Sequence, residues 1–238
     1  MKTRVCLVLM ALGCVVLQGC AVQEGGDGSK EAVAAVRMIG ASEGRLAPVY
    51  GPLAEQVVRE YGLAEKEGVG IDVGSGPGTF IVELCKRTEK MHWIDADINP
   101  HFFPYFLERA EENGFGGRVS AVRADSQDLP FKDEYADIIV SRGSYHFWKD
   151  KVKAFGEIYR VLKPGGVAFI GRGFAADFPI EVARKVRSGG RMNYDTQEKA
   201  EELREIMEKL GIEGYEIRIP QKGKAAGLNY GIWIEFRK

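Results

Sequence analysis

The sequence predicts a doubly wound α/β domain, a mainly parallel sheet covered on both faces by helices. Three observations carry this reading. From about Glu43 to the C-terminus, short β-branched runs alternate with stretches of helical period. A glycine-rich turn, Gly74-Ser75-Gly76-Pro77-Gly78, joins the first such run to the helix after it. No internal repeat breaks the alternation.

The elements follow in order. A helix is expected from Pro52 to Tyr61, with Leu53, Val57 and Val58 on one face, and a first strand from Val69 to Val73. Next come a helix from Thr79 to Arg87 and a strand from Met91 to Ala96. Asn99-Pro100 reads as N-cap and first helical residue of a helix reaching Glu112, although Pro104 can delay its start. Strand three is Val119–Arg123, Asp128 to Phe131 forms a loop, and strand four is Asp137–Val140. From Lys151 to Leu162, residues Val152, Phe155, Ile158, Tyr159 and Leu162 recur at helical spacing until Pro164-Gly165-Gly166 stops the helix. Strand five is Val167–Gly171. Helices at 180–186 and 198–210 then precede two last strands, Tyr215–Ile219 and Tyr230–Phe236.

The first residues carry a different signal. Lys2 and Arg4 precede an apolar run from Val5 to Leu17, which ends in Leu17-Gln18-Gly19-Cys20. A helix spanning a bilayer needs about 20 apolar residues, so this run suits the core of a cleaved leader better. Its end resembles the lipobox of bacterial lipoproteins, with Gln18 an unusual occupant. The expected division is a signal peptide over 1–19, an acylated Cys20 opening a flexible tether over 20–42, and the catalytic domain over 43–238. Basic residues before the apolar run place the domain outside the cytoplasm, on a lipid anchor. The alternative is a cytoplasmic domain, with the leader an uncleaved anchor or the true start at Met38.

With 33 basic and 34 acidic residues and no basic stripe, nothing favours nucleic acid as a partner. Cys6, Cys14 and Cys20 lie in the leader, and Cys85 alone remains in the body. That leaves neither a disulfide framework nor a cysteine cluster for a metal, and none is expected.

Three segments carry chemistry. In Ile71-Asp72-Val73-Gly74-Ser75-Gly76-Pro77-Gly78, alternate glycines allow a sharp turn and a close backbone approach by a ligand. The helix N-terminus beyond them suits an anionic group, here the carboxylate of an amino-acid moiety. The D-x-G-x-G-x-G spacing differs from the dinucleotide pattern G-x-G-x-x-G. About 20 residues on, Asp97 ends the second strand, where such folds set a carboxylate on a ribose diol. Asp95 points the same way and competes with it, but Asp97 lies at the strand's mouth. Asp125, after the third strand, is placed to accept from an exocyclic adenine amine, with the Ser126 amide facing the ring.

Together IDVGSGPG, Asp97-Ile98-Asn99-Pro100, RADSQDLPF and EIYRVLKPGG make the chain from about Gly70 to Gly171 resemble a class I S-adenosylmethionine-dependent methyltransferase of the small-molecule, domain-11 type. The resemblance implies a Rossmann-like sheet of seven strands whose last strand enters antiparallel, with S-adenosyl-L-methionine as cofactor. It implies that the 72–78 loop contacts the methionine moiety, Asp97 the ribose, and Asp125 with Ser126 the adenine. Ile98 and Ser141 complete the expected cofactor set.

Methyl transfer is an in-line displacement that needs an oriented nucleophile in a dry site. Ser141 to Trp148, leaving strand four, lies where this fold places the acceptor. His146 is the candidate base there because its ordinary pKa is near neutrality, although pocket lining is the competing role. Tyr145 is a weaker candidate. Tyr50, Arg172, Phe174, Arg191, Tyr194 and Asn229 are the polar or aromatic residues placed to select a small-molecule or lipid-like acceptor. Two rival functions share these motifs: a non-catalytic module that binds the nucleoside outside the cytoplasm, and aminopropyl transfer. The second lacks an acidic amine-binding motif after strand four.

Overall fold

In the computed structural model, which describes residues 28–188 and 194–238, β1 (Glu67–Val73) lies inside a seven-stranded sheet. Its companions are β2 (Lys90–Asp97), β3 (Val119–Arg123), β4 (Ala136–Arg142), β5 (Leu162–Gly173), β6 (Glu216–Arg218) and β7 (Gly231–Arg237). The order is β3-β2-β1-β4-β5-β7-β6. Strands β1 to β5 run parallel, and β7 pairs antiparallel with both β5 and β6. The expected fold is therefore the observed one. Chain direction across the sheet reverses between β1 and β4, and the carboxyl ends of strands flanking such a switch point form a crevice.

The helices are α1 (Gly28–Glu43), α2 (Ala47–Glu60), α3 (Thr79–Cys85), α4 (Phe103–Glu112), α5 (Lys151–Val161), α6 (Ile180–Ser188), α7 (Thr196–Leu210) and α8 (Gln221–Ala225). On one face of the sheet Leu53 and Val57 of α2, Phe80 of α3 and Phe106 of α4 pack on Trp93, Val140 and Phe169. On the other, Phe155 and Ile158 of α5 and Leu203 and Met207 of α7 cover Ile71, Ile139 and Ile234. This alternation of Ile71 and Asp72, or Ile139 and Val140, to opposite faces is the period-2 pleat.

Three expectations are corrected. The tether was expected to extend to residue 42, yet residues 28–43 are helical. Ala34, Met38 and Ala41 recur at i, i+4 and i+7, and all three border the cavity described below. The helix expected from Pro52 begins at Ala47, with Pro48 in its first turn. Pro52 falls inside it, tolerated because the buried Leu53, Ala54 and Val57 hold the helix against the sheet. Pro164-Gly165-Gly166 does not separate α5 from a later strand, because β5 already starts at Leu162. Gly165 turns with φ 78° and donates its amide to the Lys238 carbonyl. The leader, Cys20 and Arg191 lie outside the described residues.

Candidate functional site

The carboxyl ends of β1, β2 and β4 open into one cavity of about 580 Å³. Its first wall is the turn after β1. Gly74 and Gly76 adopt φ 69° and 61°, where side chains are strained. A Cβ on Gly74 would stand 2.4 Å from the Ser144 side chain, whereas one on Gly76 would meet nothing nearer than 3.8 Å and would stand in the ligand's space. Gly78 has another job. It caps α3 with φ 67°, and a Cβ there would lie 2.0 Å from the Phe106 ring. It is a close-packing residue and, contrary to expectation, does not border the cavity.

Asp97 fixes the second wall. Its Oδ2 accepts from the Gly76 amide at 2.8 Å, and its Oδ1 accepts from the Asn99 amide at 2.8 Å. An ionised carboxylate has about four acceptor positions, so room is left for a diol. Asp95, two residues back and fully buried, does not reach the cavity. Both its oxygens lack a partner, and burial, with Asp97 and Asp72 nearby, pushes its carboxyl well up. Asp97, at the mouth, is the one of the two that can meet a ligand. Ile98 borders the cavity beside it and is 58% exposed, an apolar surface awaiting a flat partner.

Asp125 and Ser126 form the third wall. Asp125 Oδ1 accepts from the Gln127 amide at 2.9 Å and from Gln127 Nε2 at 3.0 Å, which lowers its pKa and keeps it ionised. Gln127 itself borders the cavity and was missed in the sequence, because a glutamine in a loop carries no spacing signal.

A buried polar cluster marks where an amino-acid moiety fits. Asp72 and Ser75 border the cavity, and their Oδ1 and Oγ are buried without hydrogen-bond partners. Buried polar atoms are almost always satisfied, so atoms left open around a strand–turn–helix junction call for a ligand. Burial pushes the Asp72 carboxyl up to about 7. The residues thus fit the amino-acid end of S-adenosylmethionine. Ser141, expected beside them, is fully buried a layer behind, its Oγ 2.6 Å from the Oγ of Ser144. Ser144 is the residue that borders the cavity, and it donates to the Val73 carbonyl at 2.8 Å.

The far end holds Tyr50, Arg142, His146, Phe147 and Arg172. His146 is there as expected, but burial and the cations Arg172, Lys151 and Lys199 lower its pKa to about 4. It is neutral at pH 7 and a weak base. Tyr145 is removed from the site: its ring is 2% exposed, packs edge-on to Trp148, and burial raises its pKa. Of the expected selectivity residues, Tyr50 and Arg172 border the cavity. Phe174 is core, while Tyr194 and Asn229 stand behind Arg172, Tyr194 donating to the Arg172 carbonyl at 2.6 Å. Among the described residues no cluster of His, Cys, Asp or Glu could hold a metal, and no helix is long and apolar enough to cross a membrane.

This crevice, with a glycine turn, a strand-end carboxylate and a loop carboxylate on three walls, defines a nucleoside-binding site of the methyltransferase class. The comparisons agree. A family model described as a methyltransferase domain matches residues 71–170. A solved structure from Methanococcus maripaludis, assigned as an S-adenosyl-L-methionine-dependent methyltransferase, is 32% identical; the match covers 87% of this chain and 93% of that one, with a TM-score of 0.75. The ubiquinone/menaquinone biosynthesis C-methyltransferase UbiE of Vibrio vulnificus is 37% identical over 97 residues, 40% of this chain and 37% of that protein. A rice 2-methyl-6-phytyl-1,4-hydroquinone methyltransferase is also 37% identical, over 41% of this chain and 27% of its own length. The chain thus spans under two fifths of the length of these two curated relatives. It belongs to the S-adenosylmethionine-dependent methyltransferase family.

Proposed function

We propose that the protein transfers a methyl group from S-adenosylmethionine to a small-molecule or lipid-like acceptor. One observation carries this reading: a single cavity joins Gly74–Pro77, Asp97 and Asp125 at one end to His146 and Arg172 at the other. At about 580 Å³ it falls within the usual range of small-molecule sites. When bound, S-adenosylmethionine supplies an electrophilic methyl group on a positively charged sulfur. Asp72 and Ser75 would hold its amino-acid end, Asp97 its ribose, and Asp125 with the Ser126 amide its adenine.

What remains for the chain is to position the acceptor and exclude water. Tyr50 and Trp148, both nearly buried, form apolar parts of the wall. With its lowered pKa, His146 contributes shape and a neutral ring rather than a strong proton acceptor. A base is needed only if the attacking atom starts protonated. Similarity to the ubiquinone/menaquinone biosynthesis C-methyltransferase and the hydroquinone methyltransferase supports a small-molecule acceptor.

The leader belongs to the same proposal: residues 1–19 removed, Cys20 acylated, and the domain held outside the cytoplasm. Mass spectrometry of the mature N-terminus tests it, and an unmodified Cys20 within an intact leader would refute it. For the activity, calorimetry with S-adenosylmethionine and S-adenosylhomocysteine comes first, then methyl release on cell extract. Affinity for neither compound would end the methyl-transfer reading. Binding with no turnover on any extract would favour a binding module.

A further inference from the structure

Arg142 ends β4 and Arg172 lies near the end of the neighbouring β5, with Arg142 registered opposite Gly171. Both border the cavity and both are half-buried. Neither guanidinium forms an ion pair among the described residues, where lysines and arginines elsewhere commonly do. Arg142 Nε is buried with no hydrogen-bond partner. Arg187 acts on both as a third guanidinium, and such a gathering of cations partly withdrawn from water, with no ion pair to Arg142 or Arg172 among the described residues, is unfavourable unless something else brings the negative charge.

Each guanidinium is nonetheless held in place. Arg142 lies over the Tyr50 ring at 5.1 Å and Arg172 over the Tyr194 ring at 5.4 Å. Tyr194 is fixed in turn, donating to the Arg172 carbonyl and accepting on its own carbonyl from Asn229 Nδ2 at 3.0 Å. Three carboxyls that border the cavity, Asp72, Asp97 and Asp125, belong to its cofactor end. Of these Asp72 alone acts appreciably on Arg142, and burial pushes its own carboxyl up to about 7, so it neutralises little. Burial and the charge of Arg142 both lower the pKa of Arg172, whose other charged or titrating neighbours are Tyr194, Tyr145, His146 and Arg187. Lys149 borders the cavity near Asp125, whereas Arg142 and Arg172 have no carboxylate paired with them among the described residues.

We propose that Arg142 and Arg172 clamp an anionic group of the methyl acceptor, a carboxylate or a phosphate. This rests on the methyl-transfer reading and adds the substrate's charge to it. The planar fork of arginine matches both groups in a bidentate way that lysine does not. Stacking on Tyr50 and Tyr194 orients the forks before a ligand arrives, which reduces the ordering cost of binding.

The test uses the full chain loaded with S-adenosylhomocysteine, so that the cofactor's own carboxylate is already placed. Benzoate, phenyl phosphate and the neutral benzamide are titrated into it by calorimetry. Benzoate or phenyl phosphate is expected to bind at least tenfold more tightly than benzamide. Arg172→Gln and Arg142→Gln should each remove about tenfold of that affinity while leaving affinity for S-adenosylhomocysteine within about twofold, since charge-assisted bonds are the strong ones. Equal binding of benzoate and benzamide by the unaltered protein overturns the proposal without needing any variant. So does loss of S-adenosylhomocysteine affinity in both variants, which would assign the arginines to the cofactor's carboxylate. If the unaltered protein fails to bind S-adenosylhomocysteine, the methyl-transfer reading falls, and benzoate against benzamide on the unloaded protein still reads the clamp.

Discussion

The Gly76 amide donates a 2.8 Å hydrogen bond to Asp97 Oδ2, so the turn after β1 and the mouth of β2 are one piece. The carboxylate expected to hold the ribose also holds the loop that receives the amino-acid end. Removing it damages two contacts at once. Asp97→Ala should weaken S-adenosylhomocysteine binding by about 10- to 100-fold, the worth of losing bonds to an ionised group. Calorimetry measures the loss, and a circular dichroism melt checks that the fold survives. Unchanged affinity would remove Asp97 from the site.

Gly76 and Gly78 should fail in opposite ways. Gly78→Ala drives a methyl group into Phe106 and strains a left-handed residue, which should cost about 3 kcal/mol of stability in urea unfolding. Gly76→Ala makes only ordinary contacts with Met38 and Phe102 and should cost about 1 kcal/mol from backbone strain alone. It should instead abolish measurable cofactor binding, because its methyl group occupies the ligand's position. Equal stabilities for the two variants would contradict this assignment.

His146 should leave no mark on the pH profile near neutrality. With its pKa held at about 4, the imidazole is already neutral from pH 5 upward. The rate of methyl transfer should show no inflection near 6.5, and His146→Gln should keep kcat within about tenfold, below the usual worth of a general base. An acidic limb near 6.5 that disappears in the variant would restore the histidine as a base.

Two buried carboxyls should make the ligand-free protein less stable as pH rises, against an opposite contribution from His146, whose lowered pKa adds stability up to about pH 6.5. Asp72 and Asp95 have folded-state pKa values above their unfolded ones, so their contribution is complete below about pH 4 and is lost upward, for Asp72 through about 7. Each such group removes up to about 1.4 kcal/mol per pH unit within its window. In His146→Gln, which removes that opposing contribution, the melting temperature should drop by about 4 °C or more between pH 5 and pH 8, and adding Asp95→Asn should flatten that slope. A slope unchanged by Asp95→Asn would mean that Asp95 is ionised in the fold.

The parts of the site on strand ends and the glycine turn were legible because backbone geometry demands particular residues there. Gly74, Gly76 and Asp97 sit where the sequence places them, and Asp125 with Ser126 follows from the end of β3. Gly78 was misjudged because its packing against Phe106 is a tertiary contact that a motif cannot express. Ser141, near the end of β4, and Ser144, in the loop after it, are three residues apart, and only the fold decides which faces the cavity. Arg142 was passed over for a similar reason. It is one residue of a segment rich in candidates, and its meaning comes from Arg172 on the next strand. Helix α1 was hidden by the glycines before it, although its small residues already ran at helical period.

That helix has a kinetic consequence. Its inner side borders the cavity through Ala34, Met38 and Ala41, while Val33 and Val36 on its outer side are 50% and 70% exposed. Side-chain bonds at its two ends hold it, from Asn99 to the Glu31 carbonyl and from Tyr105 to Glu43. If α1 forms the way out of the cavity, a bound ligand should leave more slowly when α1 is held in place.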